Sequence, residues 1–345
     1  MNKIKLLDVC NIKTGKLDSN AAVEGGVYPF FTCAPNPLAI DSYMFDEDAI
    51  LLAGNNAQGN FHIQRYSGKF NAYQRTYVIT AKYGWDIDYI KYSIEISLNH
   101  LKRISQGSQT KFLTMTMLDE FYIVNRSKDE QEKLIACLKS IDKKIQLNKK
   151  INDNLDQQIQ LIFDYLFPDV CAGNKHMGDF IIPKRGKSLL SKNAVHGNVP
   201  VIAGGLKPSI YHNVANTVAP VVTISSSGAN AGFVNIWGIP VWSSDSSYID
   251  SEMSQYVYFW YAYLKRHQNN IYNIQTGSAQ PHIYPSHISS LPITDLDYKK
   301  IEKYTEIVTP IFSTITKKHI ENQHLQSLRD WILPMLMNGQ ATISD

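Results

Sequence analysis

The sequence predicts an α+β chain in which two similar mixed α/β domains are separated by two long antiparallel coiled-coil helices, with a pseudo-two-fold internal repeat. Three observations predict this fold: landmarks that recur at a shift of about 170 residues, β-type runs punctuated by turn residues in each half, and a long coiled-coil spacing at the end of each half. Self-similarity at a fixed period indicates a repeated architecture.

The internal repeat depends on ordered matches rather than on any one of them. At this shift the following landmarks coincide: Asp8 with Asp179, Gly15 with Gly186, Lys16 with Lys187, Pro29 with Pro200, Pro37 with Pro208, Tyr77 with Tyr248, and Gly107-Ser108 with Gly277-Ser278. The shift changes only between 171 and 170, apart from one extra residue near Phe61. Their common order indicates a duplication.

The first part of each repeat is rich in short β-type runs. These are AILLAG and TYVIT in residues 1–126, and PVVTIS and FVNIW in residues 169–296. Gly, Asn, Ser and Pro separate the runs, as is typical of strands joined by turns. Two longer stretches, WDIDYIKYSIEISLNHLKRI and SQYVYFWYAYLKRH, are the predicted helices of these two domains.

The second part of each repeat, residues 127–168 and 297–345, has coiled-coil spacing. Steps of four and three residues connect positions that we expect to pair the helices: Leu138, Ile141, Ile145, Asn148, Asn152 and Leu155 in the first, and Val308, Ile311, Ile315, Asn322 and Leu325 in the second. Both series are polar at the centre, which lowers stability but fixes register. Their matched lengths favour antiparallel pairing over the alternative, in which each helix packs only on its own domain.

Two prolines set expected helix boundaries. Pro168 is expected to end the first long helix and to begin a linker to the second repeat. Pro310 is expected to start a new helix after Thr309, which would divide the second long helix into a short piece and a main rod.

Composition narrows the function classes. The net charge is only +3, and the excess lies in residues 172–296, which carry eight basic and five acidic side chains. Four scattered cysteines without a CxxC pair are typical of reduced thiols, and no apolar run is long enough for a membrane span. The N-terminus does not resemble a signal peptide. We therefore expect a cytoplasmic protein.

Motifs of the common enzyme classes are absent. Gly186-Lys187-Ser188 matches the end of a phosphate-binding loop, but Ile181 stands where the first glycine is required, so a structural turn is the better interpretation. HExxH, GxSxG, metal-ligand spacing and an Asn-Pro-Pro-Tyr-like tetrapeptide are also missing from the sequence. The chain is therefore predicted to be non-catalytic and to bind no metal.

Two helical motifs resemble those of type I restriction-modification DNA specificity subunits. In the first long helix these are Glu130-Gln131 and Asn148-Lys149-Lys150-Ile151, and near the C-terminus they are Leu328-Arg329-Asp330, Leu333-Pro334 and Asn338-Gly339. The resemblance extends over essentially the whole chain. The loops GSQTKFL and GSAQPHI resemble the loop that closes each recognition domain of the family, although Thr110 replaces the glutamine that the second loop keeps as Gln280.

The resemblance implies a division of labour. Residues 1–126 and 169–296 would be target-recognition domains, each reading one half of a split double-stranded DNA target. Residues 127–168 and 297–345 would be the central and distal helical spacers. They would dock two modification (methyltransferase) subunits and the ATP-dependent restriction subunits. S-adenosylmethionine, ATP and magnesium are expected in those partners, and no cofactor is expected in this chain.

Candidate DNA-reading residues are polar side chains on loops, because base edges are read by donors and acceptors. The first domain offers Asn55, Asn56, Gln58, Arg65, Lys69, Gln74, Arg75 and Lys111. The second offers Lys207, Tyr211, Ser225, Ser226, Ser227, Asn230, Ser243, Ser244, Gln280 and His282. The loops differ most between repeats, which predicts two unlike half-sites. Two alternatives remain open: a standalone methyltransferase or nuclease with divergent motifs, and a coiled-coil adaptor.

Overall fold

A computed structural model describes residues 2–107, 109–277 and 280–341. The chain forms two compact units. Unit 1 contains Met1–Ile145 and His324–Asp345, and unit 2 contains Gln146–Gln323. Within the described residues, no helix is both long enough and apolar enough to cross a membrane.

Unit 1 is built on a six-stranded sheet. The unit as a whole has the strands β1 (Lys3–Lys5), β2 (Cys10–Thr14), β3 (Tyr28–Phe31), β4 (Leu38–Ile40), β5 (Phe45–Ala53), β6 (Asn55–Asn56), β7 (Ile63–Ala72), β8 (Thr76–Ala81), β9 (Lys111–Phe112) and β10 (Tyr122–Val124). Its helices are α1 (Leu6–Val9), α2 (Ile87–Glu95), α3 (Leu98–Ile104), α4 (Met115–Asp119) and the beginning of α5 (Lys128–Leu166). The main sheet has the order β2-β8-β5-β7-β3-β4. The predicted strands AILLAG and TYVIT are confirmed as the buried strands β5 and β8.

One predicted helix of unit 1 is in fact two. The stretch from Trp85 to Ile104 divides into α2 and α3, with Ser97 between them in a non-helical conformation. Asp86 caps the first helix by accepting hydrogen bonds from the backbone of Asp88 and Tyr89. Helix α2 buries six of its nine residues, whereas α3 buries only Leu101. The two segments pack so differently that a single straight helix would not satisfy both.

Unit 2 repeats this plan with shorter strands. They are β11 (Lys175–His176), β12 (Lys184–Arg185), β13 (Val199–Ile202), β14 (Ile210–His212), β15 (Val221–Ser225), β16 (Val234–Trp237), β17 (Trp242–Ser243), β18 (Ser246–Asp250) and β19 (Pro292–Ile293). The helices are α6 (Val257–Arg266), α7 (Gln268–Asn273), α8 (Pro285–Ser289) and α9 (Tyr298–Met337), which continues into unit 1. A four-stranded sheet, β12-β18-β15-β16, adjoins a three-stranded one, β14-β13-β17. The predicted strands PVVTIS and FVNIW and the predicted helix SQYVYFWYAYLKRH are confirmed.

The two long helices lie in both units and run antiparallel. In unit 1, Leu134 and Leu138 of α5 join the same core as Leu333 and Leu336 of α9. In unit 2, the end of α5 and the start of α9 share a core that contains Phe163 and Tyr304, whose rings meet edge to face 5.6 Å apart. The 39 and 40 residues of these helices confirm the two predicted long elements.

The polar positions near the middle of the helices lie in unit 2. Asn148 is fully buried, and its side-chain amide donates to Asn322 and to Glu321, at 2.9 Å in each case. Asn152 donates to the carbonyl of Ile315 at 3.5 Å. A buried amide is stable only where its hydrogen bonds are made, so this arrangement favours one register over shifted ones.

The expectation for Pro310 is wrong, because α9 is continuous through it. The proline ring is on the exposed face of the helix, whereas Val308 and Phe312 on either side are buried in the unit 2 core. The carbonyl of Glu306 loses its helical donor at the proline, but Glu306 is exposed, so water can bind that carbonyl. The apolar packing then outweighs the local preference against an internal proline. The boundary expected at Pro168 is confirmed, since α5 ends at Leu166.

Candidate nucleic-acid interface

In unit 1 the loop after the central strand pairs with the closing loop of the domain. Strand β6 is antiparallel to β9, with Asn55 opposite Phe112 and Asn56 opposite Lys111. The backbone amide of Leu113 donates to the carbonyl of Gly54 at 2.8 Å. Two stretches that are more than 50 residues apart in the sequence therefore present their polar side chains together.

We call the side chains around this pairing loop cluster 1: Asn55, Asn56, Gln58, Asn60, Lys102 and Lys111. The Oδ1 of Asn56 accepts from the backbone amides of Gln58 and Asn60, at 2.9 and 3.0 Å. Lys102 donates to Asn60 at 2.7 Å. Sequence reasoning missed Asn60 and Lys102, although Asn60 stands in the glycine-rich stretch that supplied the other candidates.

Both closing loops turn at a glycine. Gly107 and Gly277 adopt φ of 98° and 93°, a region that residues with a side chain rarely occupy. A Cβ on Gly107 would overlap the Thr110 carbonyl oxygen, and one on Gly277 would lie 2.6 Å from that of Gln280. The paired landmarks Ser108 and Ser278 lie outside the described residues.

Unit 2 makes the corresponding pairing. Ser227 forms an isolated antiparallel bridge with His282, and the amide of Ile283 donates to the carbonyl of Ser226 at 2.9 Å. The amide of Gly228 donates to the carbonyl of Pro281 at 3.0 Å. The same two loops therefore meet in both repeats.

Loop cluster 2 comprises Arg185, Ser227, Asp245, His282 and Tyr284. Arg185 pairs with Asp245 at 2.9 Å and lies over the ring of Tyr284, 6.0 Å from its centroid. Ser227 donates to the second oxygen of Asp245, and the rings of His282 and Tyr284 stack 6.1 Å apart. The sequence indicated Ser227 and His282 but missed the other three. The excess of basic residues in this half was the only signal that pointed toward Arg185.

The prediction that four serines of unit 2 read DNA is wrong, because their side chains are buried. The side chains of Ser225, Ser226, Ser243 and Ser244 are at most 6% exposed. Ser225 donates to the Ala203 carbonyl, and Ser244 accepts from the backbone amide of Leu189. They stabilise the frame of the loops rather than face a groove, because β15 and the β17–β18 turn that carry them lie inside the domain.

Arg65 is also reassigned. Its guanidinium forms ion pairs with Asp48 and Asp88 and donates to the carbonyls of Ala49 and Tyr66. With its donors engaged inside unit 1, it binds the strands of the sheet together and has little left to offer a base.

The remaining predicted readers are exposed or partly exposed but outside the two clusters. Lys69 lies 4.6 Å from the ring of Tyr43, and Gln74 donates to Asp18 at 2.5 Å. The side chains that share this description are Lys69, Gln74, Arg75, Lys207, Tyr211, Asn230 and Gln280. Arg75 adjoins loop cluster 1, because its carbonyl accepts from the amide of Gly54, which precedes Asn55, at 2.8 Å.

Chemically, the clusters offer amide, hydroxyl, carboxylate, ammonium and guanidinium groups, which can donate to or accept from base edges. Within the described residues, no group of three or more His, Cys, Asp or Glu side chains is arranged to bind a metal ion. The arrangement therefore suits recognition by hydrogen bonding.

Comparison with known proteins agrees with this geometry. The family described as type I restriction modification DNA specificity domain matches residues 1–157. Over 76 residues the chain is 57% identical to the type I restriction enzyme EcoDI specificity subunit of Escherichia coli. The N-terminal part of the chain, residues 1–157, is therefore similar to this family. The stretch of 76 residues covers 22% of the chain and 16% of the length of the EcoDI subunit.

Solved structures support the fold. The S subunit of a type I restriction-modification system from M. genitalium has 16% sequence identity with this chain and a TM-score of 0.61, with 99% of this chain and 96% of that one covered. The HsdS subunit from Thermoanaerobacter tengcongensis aligns with a TM-score of 0.36 and 14% identity, over 99% and 97% of the two chains. The first of these likenesses confirms the α+β architecture with two long helices.

The structure gives physical roles to the family-like helical motifs. Glu130 and Ser127 form a capping box at the start of α5, with contacts of 2.9 and 3.4 Å. Buried Gln131 accepts from the backbone amide of Asp86, which precedes α2, at 2.8 Å. Arg329 pairs with Asp142 of α5 at 3.1 Å. Gln131 therefore fixes α5 to the domain of unit 1, and Arg329 fixes α9 to α5.

Proposed function

We propose that this chain is the DNA-reading subunit of a type I restriction-modification enzyme and that it binds a bipartite target, with one half-site per recognition domain. The observation that carries the proposal is the repeated pairing of two polar loops, Asn55 and Asn56 with the closing loop in unit 1, and Ser227 with His282 in unit 2. Equivalent loops with different side chains are what a protein needs to read two unlike half-sites.

We propose further that the helices dock two modification subunits and the restriction subunits, and that methylation and cleavage occur in those partners. Large apolar side chains on the helices support this: Leu161 and Tyr165 are exposed in unit 2, and Leu328 and Trp331 in unit 1. The members of each pair are four or three residues apart, so they are neighbours on the helix surface, and contiguous exposed apolar side chains are typical of a protein interface. S-adenosylmethionine, ATP and magnesium would be bound by the partners, and the assembly would act in the cytoplasm.

The experiment that tests the proposal maps methylated adenines in DNA from cells that carry this gene with its modification partner. We expect a motif of two short blocks separated by a fixed gap. A continuous motif would contradict the model of two half-sites. Methylation or cleavage of DNA by the purified chain alone would contradict its non-catalytic role.

Two variants sharpen the test. Replacing residues 1–125 by the corresponding domain of another family member should change one block and leave the gap unchanged. Inserting one helical turn near Asn148 should change the gap and leave both blocks unchanged. If the domain exchange altered both blocks, the assignment of one half-site to each domain would be wrong.

A further inference from the structure

We propose that Arg185 reads a guanine in the half-site bound by unit 2, and that Asp245 and Tyr284 position its guanidinium for this contact. The inference rests on the proposed function and adds one specificity-determining residue and the base that it recognises. Arg185 stands at the end of β12, the edge strand of the four-stranded sheet, directly before the turn at Gly186.

The guanidinium is fixed on two sides. One terminal nitrogen donates to Asp245 at 2.9 Å, and the Tyr284 ring lies beneath it, with 6.0 Å between the guanidinium carbon and the ring centroid. The side chain of Arg185 nevertheless stays 42% exposed. An arginine held in this way loses less conformational entropy when it binds a base than a freely rotating one does.

Asp245 is itself held in place. Its second carboxylate oxygen accepts the hydroxyl of Ser227, and its backbone carbonyl accepts the amide of Ser226 at 3.1 Å. The carboxylate therefore belongs to the same loop frame that pairs Ser227 with His282. Through this chain of contacts, the position of the guanidinium is tied to the two loops of cluster 2.

The electrostatics favour a base over a phosphate. An arginine that is paired with a carboxylate carries little net charge, so it adds little to the sequence-independent attraction of the backbone. Its directional donors remain, because a guanidinium has five N–H donors and one of them is hydrogen-bonded to Asp245. Two parallel donors match O6 and N7 of guanine in the major groove, which is the commonest base-specific contact of arginine.

The test uses the full chain in complex with its modification partner, after the methylated motif of the wild type has been mapped. Duplexes carrying that target are prepared with each guanine of the unit 2 half-site replaced in turn by 7-deazaguanine, which lacks the N7 acceptor. We expect one replacement to weaken wild-type binding by about tenfold. The same replacement should have no effect on Arg185→Ala, because the contact is already lost.

Two further variants separate the roles. Asp245→Asn should reduce discrimination at the same guanine. Arg185→Lys should discriminate no better than Arg185→Ala, because lysine lacks the planar fork. Lys192→Ala, which changes an exposed lysine outside the cluster, should leave discrimination at that guanine unchanged.

The outcomes are distinct. If Arg185→Ala weakens binding equally for all sequences, the residue contacts a phosphate and the inference is overturned. It is also overturned if every 7-deazaguanine replacement acts equally on wild type and Arg185→Ala. A wild-type motif without two blocks would instead contradict the proposed function itself.

Discussion

The two loop clusters share a backbone frame but place their charged side chains differently. In unit 1 the carbonyl that accepts from the glycine-rich loop belongs to Arg75, and in unit 2 it belongs to Asp245. The next residue in each unit is an acceptor as well. The carbonyl of Thr76 accepts from the amide of Gly15, and the carbonyl of Ser246 accepts from the amide of Gly186. The residue before the glycine is Thr14 in unit 1 and Arg185 in unit 2.

Each repeat therefore offers an arginine near this contact, but on different segments: Arg75 precedes β8 in unit 1, and Arg185 ends β12 in unit 2. The guanidinium of Arg185 is held by a carboxylate, whereas no carboxylate pairs with Arg75 in the part of the chain that the structure describes. Backbone hydrogen bonds, which depend little on side chains, therefore preserve the frame, and the side chains are free to diverge.

The attachment of the domains to the long helices differs as well. In unit 1, buried Tyr92 donates to Asp142 at 2.7 Å, and Arg329 of α9 donates to the other oxygen at 3.1 Å. In unit 2, Tyr261 donates to Asp156 at 2.7 Å. Burial first, and then the neighbouring carboxylate, raise the pKa of both tyrosines, so their hydroxyls remain donors at neutral pH.

The largest expected difference between the units follows from these contacts. Asp142→Ala should lower the free energy of unfolding by about 3 kcal/mol, because it leaves the buried hydroxyl of Tyr92 without its acceptor and removes one of the carboxylates that pair with Arg329. Asp156→Ala should cost about 1–2 kcal/mol, since one hydroxyl loses its acceptor. Urea denaturation of both variants measures the difference. Asp142→Asn, which keeps one acceptor, serves as the control, and equal losses for the two alanine variants would contradict the comparison.

The closing loops should differ next. Gly107→Ala should destabilise the chain by about 2 kcal/mol and Gly277→Ala by about 1 kcal/mol, because both force a side chain to positive φ and the overlap at Gly107 is the closer one. Thermal unfolding of the two variants is the measurement. The exposed Gly205 has a different environment and no positive φ, so Gly205→Ala is the control and should change the melting temperature little.

A smaller effect should separate the two half-sites. Arg75→Ala is expected to relax the methylated motif in the block read by unit 1 by about tenfold in preference, without changing the other block. Sequencing of methylated DNA from cells with the variant measures this. A change in the unit 2 block alone would show that the assignment of half-sites is reversed.

The smallest effect concerns a surface ion pair of unit 1. The hydrogen bond from Arg65 holds the pKa of Asp48 below its usual range. Because the folded-state pKa is lowered, the stability that this pair contributes is present above about pH 4 and is lost as the pH falls through the folded value. Asp48 is more than half exposed, so solvent screening limits the contribution to about 0.5 kcal/mol at neutral pH.

Urea denaturation at several pH values tests this. Asp48→Asn should unfold more easily than the wild type at pH 7, and the two proteins should converge at low pH. Asp46→Asn, which alters an exposed carboxylate two residues earlier on β5, is the control. Its stability should follow that of the wild type at every pH. A difference that persists at low pH would exclude the proposed linkage.

Particular residues show how far the sequence could be followed. The spacing from Leu138 to Leu155 predicted a long helix with a polar centre, because a face that must be buried leaves a period in the sequence. The same spacing could not reveal that Pro310 lies on the exposed face of α9, where its missing donor is tolerated. The sequence predicts Ser225 and Ser243 as readers because a buried and an exposed serine look alike in a sequence.

The sequence by itself determined the duplication, the α+β class, the long helices and the loops that would carry recognition, because each leaves a local or periodic pattern. Only the tertiary structure decided which side chains of those loops meet. Arg185, Asp245 and Tyr284 are as much as 99 residues apart in the chain and come together through sheet pairing, so no spacing rule connects them. Recognition depends on such long-range contacts, and these are set by the fold as a whole rather than by any one segment.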